Sequence, residues 1–227
     1  MCQNKIMTDK NIEELGPSDL GTLDYWERIY SEELDNFKEH GDVGEIWFGR
    51  NNTLKVIRWI NTQLKLNKDD KIVDIGCGNG MTLVELTKQG FEKLLGVDYS
   101  EKAVDLAREI LKENNMSHVE LKVCDILDSE NFNLPIDFKL VHDKGTYDAI
   151  SLHPEDPSSK RQKYIKNIYK ILLPSGYLVL TSCNWTKEEI EKHFQNYFDI
   201  LHVLPADTFV FGGQTGNIVT QLVLQKK

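Results

Sequence analysis

The sequence predicts an α/β fold: a doubly wound, mostly parallel sheet of seven strands with an antiparallel last strand. Short β-branched runs alternate with amphipathic helical segments over residues 71–194, an order typical of parallel strands joined by helices on both faces. Two further strand-like runs then follow each other without a helix, which predicts an antiparallel pair. The 227 residues show no internal repeat and no low-complexity linker, so we expect a single domain.

The first 66 residues are expected to stand outside this alternation. Residues 1–20 are polar and mildly acidic, which predicts a flexible leader. Residues 21–66 are predicted to form a helical cap, because apolar side chains recur at helical spacing over 24–37 and again over about 52–64. The remaining residues, 67–227, are predicted to form the core of the fold.

The core elements follow from local patterns along the chain. Strands are predicted, in chain order, at residues 71–75, 94–97, 119–123, 138–142, 177–182, 198–204 and 218–224. Helices are predicted over residues 81–89, 101–114, 160–172 and 186–194. Ser100 is expected to cap the second of these helices, and Thr186 with Glu189 to form a capping box on the fourth. Pro174-Ser175-Gly176 is expected to break the chain before the fifth strand.

Charge and cysteine usage exclude several classes of function. Lys and Arg number 27 against 36 Asp and Glu, a net charge of −9 that disfavours nucleic acid and suits a basic protein partner. The four cysteines form no C-x-x-C pair and the six histidines no metal-binding spacing, so no metal is expected. Such cysteine usage is typical of a reducing compartment, which predicts the cytoplasm, with the nucleus as a second location. No apolar run reaches the roughly 18 residues of a membrane helix, so no membrane association is expected.

The strongest local signal is a D-x-G-x-G-x-G motif formed by Asp74, Gly76, Gly78 and Gly80 between a predicted strand and a helix. Glycines there let the backbone approach a ligand closely. A dinucleotide-binding fingerprint would need Gly or Ala at Met81, so that class is disfavoured. S-adenosylmethionine carries a sulfonium and an ammonium but no phosphate, and an acidic residue is tolerable beside such a cation. The motif therefore favours S-adenosylmethionine, with a purely structural glycine turn as the alternative.

Two carboxylates at the next strand ends strengthen this interpretation. Asp98, followed by Tyr99, ends the second strand, where a carboxylate can accept both ribose hydroxyls. Asp125, followed by Ile126, comes after the third strand, where it can accept a hydrogen bond from the adenine amino group. Either acid alone could be a solvated turn residue. Together with the glycine motif they predict a nucleoside-binding site that includes these four residues.

This pattern resembles the Rossmann-like class I methyltransferases with seven strands over roughly residues 20–227. More specific segments resemble the translation elongation factor 1-alpha lysine methyltransferase 2 family. These segments are residues 19–22, 25–26, 44–49, 143–150, 182–186, 211–213 and 216–217. The resemblance implies methylation of a lysine on elongation factor 1-alpha, with S-adenosylmethionine as cofactor. A monomer is expected.

Other functions are kept open. The nearest is a small-molecule methyltransferase acting on thiols or amines, because such enzymes share the fold. A cofactor-binding subunit without activity is another, although Asp74, Asp98 and Asp125 are intact. An oxidoreductase is disfavoured by Met81.

The acceptor amine is expected to meet residues that follow the fourth strand. Asp143 is the first choice for positioning the amine, with a place in the cofactor shell or a cap on the following turn as alternatives. Lys144 is expected to point away or to pair with an acid, and His142 to be a core residue whose hydrogen bonds are satisfied.

Aromatic side chains are expected to form the walls of the acceptor slot. Tyr147 and Trp185 are the main candidates, and the glycine-flanked Trp47 and Phe48 are predicted to form a lid or to contact the cofactor. Further candidates are Tyr25, Trp26, Phe209 and Phe211.

Overall fold

The computed structural model of the protein describes residues 13–128, 132–205, 208–211, 214–217 and 219–227. Its α-helices are α1 (Leu23–His40), α2 (Arg50–Gln63), α3 (Met81–Lys88), α4 (Glu101–Glu113), α5 (Thr146–Ser151), α6 (Pro157–Ile171) and α7 (Lys187–Phe194). Its strands are β1 (Ile72–Ile75), β2 (Leu94–Asp98), β3 (Glu120–Val123), β4 (Phe138–Lys144), β5 (Leu172–Ser182), β6 (Phe198–Val203), β7 (Thr208–Phe211), β8 (Gln214–Asn217) and β9 (Thr220–Lys226). In the part of the chain that these ranges cover, no helix is long and apolar enough to cross a membrane.

The seven-stranded sheet has the order β3-β2-β1-β4-β5-β9-β6. Strands β1 to β5 pair in parallel, and β9 lies antiparallel between β5 and β6. The predicted fold, including the antiparallel last strand, is therefore confirmed. The chain runs outward from β1 in both directions, which leaves a crevice at the carboxyl ends of β1 and β4 where such sheets bind ligands.

Alternate residues of each strand pack against helices on opposite faces of the sheet. In β1, Ile72 packs in the cluster formed with α2, α3 and α4, whereas Val73 and Ile75 pack in the cluster formed with α5, α6 and α7. In β4, Leu140 belongs to the first cluster and Val141 to the second. This alternation decides which side chains at the strand ends can reach the crevice.

Two sequence predictions about elements are wrong. The six-residue helix α5 was missed, since one and a half turns carry too little periodicity to be seen. Strand β5 begins at Leu172, so Pro174-Ser175-Gly176 lies inside it rather than before it. The β4–β5 register shifts between Phe138 and Leu140, an irregularity opposite this segment.

The predicted leader is also too long. Leu15 is buried, and the Glu14 carboxylate pairs with the buried Arg161 guanidinium at 2.6 Å. The Ser18 amide donates a hydrogen bond to the Leu152 carbonyl, and a short 3-10 helix follows over Asp19–Gly21. Residues 13–20 are thus held on the core at Glu14, Leu15 and Ser18, while residues 1–12 lie outside the described residues.

The C-terminal Gly-rich segment contains a separate two-stranded ribbon, β7 paired with β8. The sequence predicted a loop there. The side chains of Phe209 and Phe211 lie outside the described part of the structure, so their predicted place in an acceptor slot stays a prediction.

Candidate active site

A cavity of about 350 Å³ opens at the carboxyl ends of β1, β2 and β4. This volume falls within the roughly 300–1,000 Å³ of small-molecule sites. The glycine loop after β1 and the residues that follow β2 and β3 form one end. Helix α1, the segment before α2 and the start of α5 form the other. The cavity therefore lies at the crevice where the strand order reverses.

The glycine loop has a backbone that favours glycine at each position of the motif. Gly76, Gly78 and Gly80 have φ of 65°, 52° and 72°. A Cβ at Gly76 would lie 1.9 Å from the Thr146 hydroxyl oxygen, and one at Gly78 would lie 2.6 Å from the Tyr30 hydroxyl oxygen. Gly76 and Gly78 line the cavity, whereas Gly80 packs against α4 and supports the loop from behind.

Asp98 joins the glycine loop to the end of β2. Its carboxylate accepts hydrogen bonds from the Gly78 and Ser100 amides, both at 3.0 Å, and the residue is 5% exposed. Burial raises the pKa of this carboxyl to about 6, although the amides of Ser100 and Gly78 oppose the shift. Each oxygen keeps lone-pair capacity for a further donor. Asp98 can therefore accept two hydroxyl groups of a ligand.

The cavity continues past Asp98 toward β3. Tyr99, Asp125 and Ile126 line it, together with Cys124 and Leu127. Their predicted role in binding a nucleoside stays a prediction. The Asp125 carboxylate accepts a hydrogen bond from the Leu127 amide at 2.7 Å, which fixes the turn after β3. This arrangement offers an apolar slot with an acceptor at its rim, which suits a flat heterocycle with an exocyclic amine.

The segment that carries Trp47 and Phe48 is tied directly to the glycine loop. The Asn79 side-chain amide donates to the Val43 carbonyl at 2.9 Å and to the Glu45 carbonyl at 3.2 Å. Trp47 lines the cavity, with its ring 5.0 Å from that of Trp26. Phe48 has φ of 62° and is not on the cavity wall; its ring lies against Gly145 instead.

Comparisons with known proteins agree with this geometry. A methyltransferase-domain family profile matches residues 66–226. Human "EEF1A lysine methyltransferase 2" is 44% identical over 92% of this chain and 88% of its own length. The "Protein-lysine N-methyltransferase efm4" of Schizosaccharomyces pombe is 34% identical over 93% and 95%. The chain belongs to the EEF1A lysine methyltransferase 2 family.

A solved structure with the same fold is that of the N-methyltransferase NodS from Bradyrhizobium japonicum, in complex with S-adenosylhomocysteine. It has a TM-score of 0.64 at 16% identity and covers 88% of this chain and 98% of its own. An S-adenosylmethionine-dependent methyltransferase from Anabaena variabilis has the same TM-score at 18% identity, covering 96% of this chain and 100% of its own. These likenesses confirm the fold predicted from the sequence.

In this EEF1A lysine methyltransferase 2 family member, Asp143 does not face the cavity. Its carboxylate is fully buried and accepts hydrogen bonds from the Thr146 amide at 2.9 Å, the Tyr147 amide at 3.1 Å and the Tyr164 hydroxyl. Asp143 lies two residues after Val141 in β4, so its side chain is on the same face of the sheet and points toward α6. Burial raises its pKa to about 7, against the Tyr164 hydrogen bond. The prediction that Asp143 positions the amine or contacts the cofactor is therefore wrong, and the cap alternative applies.

The two predicted slot aromatics are buried as well. The Tyr147 hydroxyl lies 2.7 Å from His193 Nδ1, and the Trp185 indole N–H donates to the Ser151 hydroxyl at 3.0 Å. Tyr147 belongs to α5, its ring packs in the same core cluster as that of Trp185, and neither ring is on the cavity wall. This geometry does not support a direct contact of Tyr147 or Trp185 with the acceptor. The Tyr147 hydroxyl and the Trp185 indole N–H already have partners inside the protein.

Asp74, which the sequence predicts to bind the cofactor, is not on the cavity wall either. It is 2% exposed, and its carboxylate lies 2.7 Å from His142 Nδ1. The register pairs Asp74 with His142, which places both side chains on the same face of neighbouring strands. His142 is thus a core residue with a hydrogen-bonded partner, as the sequence predicts, and its contact with Asp74 joins β1 to β4.

Sequence reasoning missed several polar residues on the wall. Lys144 lines the cavity, so the expectation that it points away is wrong. It lies two residues after His142 and therefore faces the opposite side of the sheet from Asp143. Glu45 and Asn79 were not singled out, although Asn79 stands between the last two glycines of the motif. Among the described residues, no group of three or more His, Cys, Asp or Glu side chains could hold a metal ion.

The link between the glycine loop and residues 44–49 predicts a lid coupled to ligand binding. We expect S-adenosylhomocysteine at about ten times its Kd to slow amide hydrogen exchange in this segment roughly tenfold, because opening would require ligand release. Asn79→Ala should raise exchange in the segment without ligand, since it removes the bonds to the Val43 and Glu45 carbonyls. Equal exchange in the free and bound protein would contradict a lid.

Proposed function

We propose that this protein transfers a methyl group from S-adenosylmethionine to a lysine of translation elongation factor 1-alpha. The observation that carries the proposal is the 44% identity with human "EEF1A lysine methyltransferase 2" over nearly the whole chain. The net charge of −9 supports a basic protein as the partner rather than nucleic acid. We further propose that the active form is a monomer, which light scattering during size exclusion would test.

The residues at the β2 and β3 ends fit the nucleoside half of this cofactor. Asp98 offers a buried carboxylate with free lone pairs for two ribose hydroxyls, and Asp125 with Ile126 forms the slot for the base. At Gly78 a Cβ would collide with the Tyr30 hydroxyl, so glycine lets the Tyr30 side chain pack directly against the loop at the cavity wall. When bound, the cofactor supplies a methyl group that is activated by its sulfonium.

The chain contributes alignment and a suitable acceptor. Transfer needs the amine and the methyl group in line, and holding them so supplies much of the rate enhancement. The amine must also be neutral, whereas a free lysine with a pKa of about 10.4 is almost wholly protonated near pH 7. Trp26, Tyr30 and Trp47 line the end of the cavity next to α1. These rings exclude water and so disfavour the ammonium form.

Glu45 is the carboxylate that replaces Asp143 in this scheme. It is exposed on the cavity wall beside Trp47, whereas the other acids of the wall, Asp98 and Asp125, belong to the nucleoside end. An exposed carboxylate at this end can attract the lysine ammonium before the proton leaves. It can then orient the amine by accepting one of its N–H groups.

We expect Glu45→Gln to lower kcat/KM for elongation factor 1-alpha about tenfold, which corresponds to about 1.4 kcal/mol. Affinity for S-adenosylhomocysteine should stay within about twofold, because the nucleoside end is untouched. Glu39→Gln is the matched control, since Glu39 is exposed on α1 away from the cavity. A kcat/KM equal to that of wild type would remove Glu45 from the acceptor site.

The test of the proposed function is direct. Purified elongation factor 1-alpha is incubated with the protein and labelled S-adenosylmethionine, and the modified residue is located by mass spectrometry. We expect label on lysine. Label on free thiols or amines, with none on the factor, would instead support the small-molecule alternative.

A further inference from the structure

Lys144 is a cation on the cavity wall that has no hydrogen-bond or ion-pair partner among the described residues. It ends β4 and is half-buried, and its side chain lines the cavity with Glu45 and Trp47. Within the described part of the chain, its ammonium forms no hydrogen bond and no ion pair within 4 Å. Burial lowers the pKa of Lys144, although the negative charges of Asp74 and Asp143 oppose the shift. Asp74, Asp143 and Glu45 act on this charge from a distance, but none of the described carboxylates lies within 4 Å of it. A half-buried ammonium with no carboxylate in direct contact is costly, so the position favours a ligand that brings an anion.

The register places Lys144 opposite Asp98 across the glycine loop. Val97 of β2 and Asp143 of β4 both pair with Ile75 of β1. Asp98 and Lys144 therefore each lie one residue further toward the cavity, on either side of Gly76. Neighbouring strands are about 4.8 Å apart, so the two strand ends are separated by roughly 10 Å.

That separation matches the two ends of one ligand. With the ribose on Asp98 and the base beyond it toward β3, the substituent on the ribose is directed across Gly76 toward β4. An amino-acid tail on that substituent ends in a carboxylate and an ammonium. Of these two groups, the carboxylate is the one that an unpartnered ammonium attracts, and a charge-assisted hydrogen bond would compensate its burial.

We propose that Lys144 binds the carboxylate of the cofactor's amino-acid end, and so selects nucleoside thioethers that carry one. This inference rests on the proposed function, because it takes the ligand to be S-adenosylmethionine or its product. In this arrangement Lys144 binds the cofactor, whereas Glu45 binds the acceptor lysine. The competing role for Lys144, a contact with the protein substrate, is an outcome of the same test.

The test compares S-adenosylhomocysteine with its decarboxylated analogue, which keeps the nucleoside, the thioether and the amine. Calorimetry on the full chain should show wild type preferring S-adenosylhomocysteine by at least about tenfold. Lys144→Met should remove most of that preference by weakening S-adenosylhomocysteine while leaving the analogue within about twofold. Lys144→Arg should retain much of it, because the charge remains. Lys139→Met, at the exposed opposite end of β4, is the matched control and should leave the ratio unchanged.

The outcomes separate the two proposals. If wild type binds S-adenosylhomocysteine and Lys144→Met keeps the wild-type ratio between the two ligands, the role of Lys144 is overturned and the proposed function stands. Equal weakening of both ligands would also overturn it, since it would indicate a general effect on the site. A raised KM for elongation factor 1-alpha with an unchanged ratio would assign Lys144 to the protein substrate. If wild type binds neither ligand, the proposed function fails, and this inference fails with it.

Discussion

Replacing Asp98 by alanine is expected to lower the affinity for S-adenosylhomocysteine roughly 30- to 150-fold, or about 2–3 kcal/mol. Two hydroxyl groups of the ligand would lose a charged acceptor, and a hydrogen bond to a charged group makes a net contribution of about 1.5–3 kcal/mol. Water that fills the space left by the carboxylate recovers part of the combined loss. The Gly78 and Ser100 amides would lose theirs as well, which loosens the glycine loop. Calorimetry at constant salt measures the change.

Two controls make this result specific. Asp105→Ala removes a carboxylate from α4 that forms an exposed pair with Arg108, and it should leave affinity unchanged. Asp125→Ala should weaken binding of S-adenosylhomocysteine by less, about 1 kcal/mol, because the Asp125 carboxylate is exposed to water. An Asp98→Ala variant that folds normally and binds like wild type would mean that the ribose does not lie at the β2 end, and the adenosine placement would have to be abandoned.

That Asp98 and Asp125 line one end of the cavity, the proposed nucleoside end, could be predicted from the sequence because it depends on topology alone. Carboxyl ends of neighbouring parallel strands meet at one edge of a sheet, so Asp98 and Asp125 had to lie close together once the strands were recognised. The spacing of the glycines likewise follows from backbone angles that other residues rarely adopt. Neither inference required knowledge of which face a side chain occupies.

The acceptor end could not be predicted in this way. It depends on which face of the sheet each side chain occupies and on contacts between residues that are far apart in the sequence. Asp143 and Lys144 are adjacent, so they point to opposite faces, and only the packing of Tyr164 against Asp143 shows which one is buried. The side chain of Asn79 reaches the carbonyl of Glu45, which lies 34 residues earlier in the chain. No local pattern of apolar residues encodes such a contact.

Asp143→Ala is expected to lower the free energy of unfolding by about 3–4 kcal/mol, without removing any group from the cavity. The change leaves the amides of Thr146 and Tyr147 and the hydroxyl of Tyr164 without their acceptor, and it opens a void between β4 and α6. In a chain of this size the thermal midpoint should fall by roughly 6–16 °C. A midpoint within about 2 °C of wild type would contradict the cap role.

Asp143→Asn tests the same site through its charge. Burial raises the pKa of Asp143 from an ordinary value of about 3.9 to about 7, so between these values the folded state holds a proton that the unfolded chain has lost. The stability that Asp143 contributes is therefore complete below about pH 4 and declines as the pH rises to about 7. Asparagine does not titrate. The free energy of unfolding of the variant should therefore rise relative to that of wild type as the pH increases.

Urea unfolding of both proteins at about pH 5 and about pH 8 measures this difference. Other buried acids, such as Asp98 and Asp148, remain in both proteins and largely cancel in the comparison. We expect the free energy of unfolding of Asp143→Asn, relative to wild type, to be higher at pH 8 than at pH 5. A constant difference would mean that Asp143 is ionised in the folded state at both pH values. If turnover fell much further than the folded fraction, the carboxylate would act on the substrate after all, and Glu45 would no longer be the better candidate.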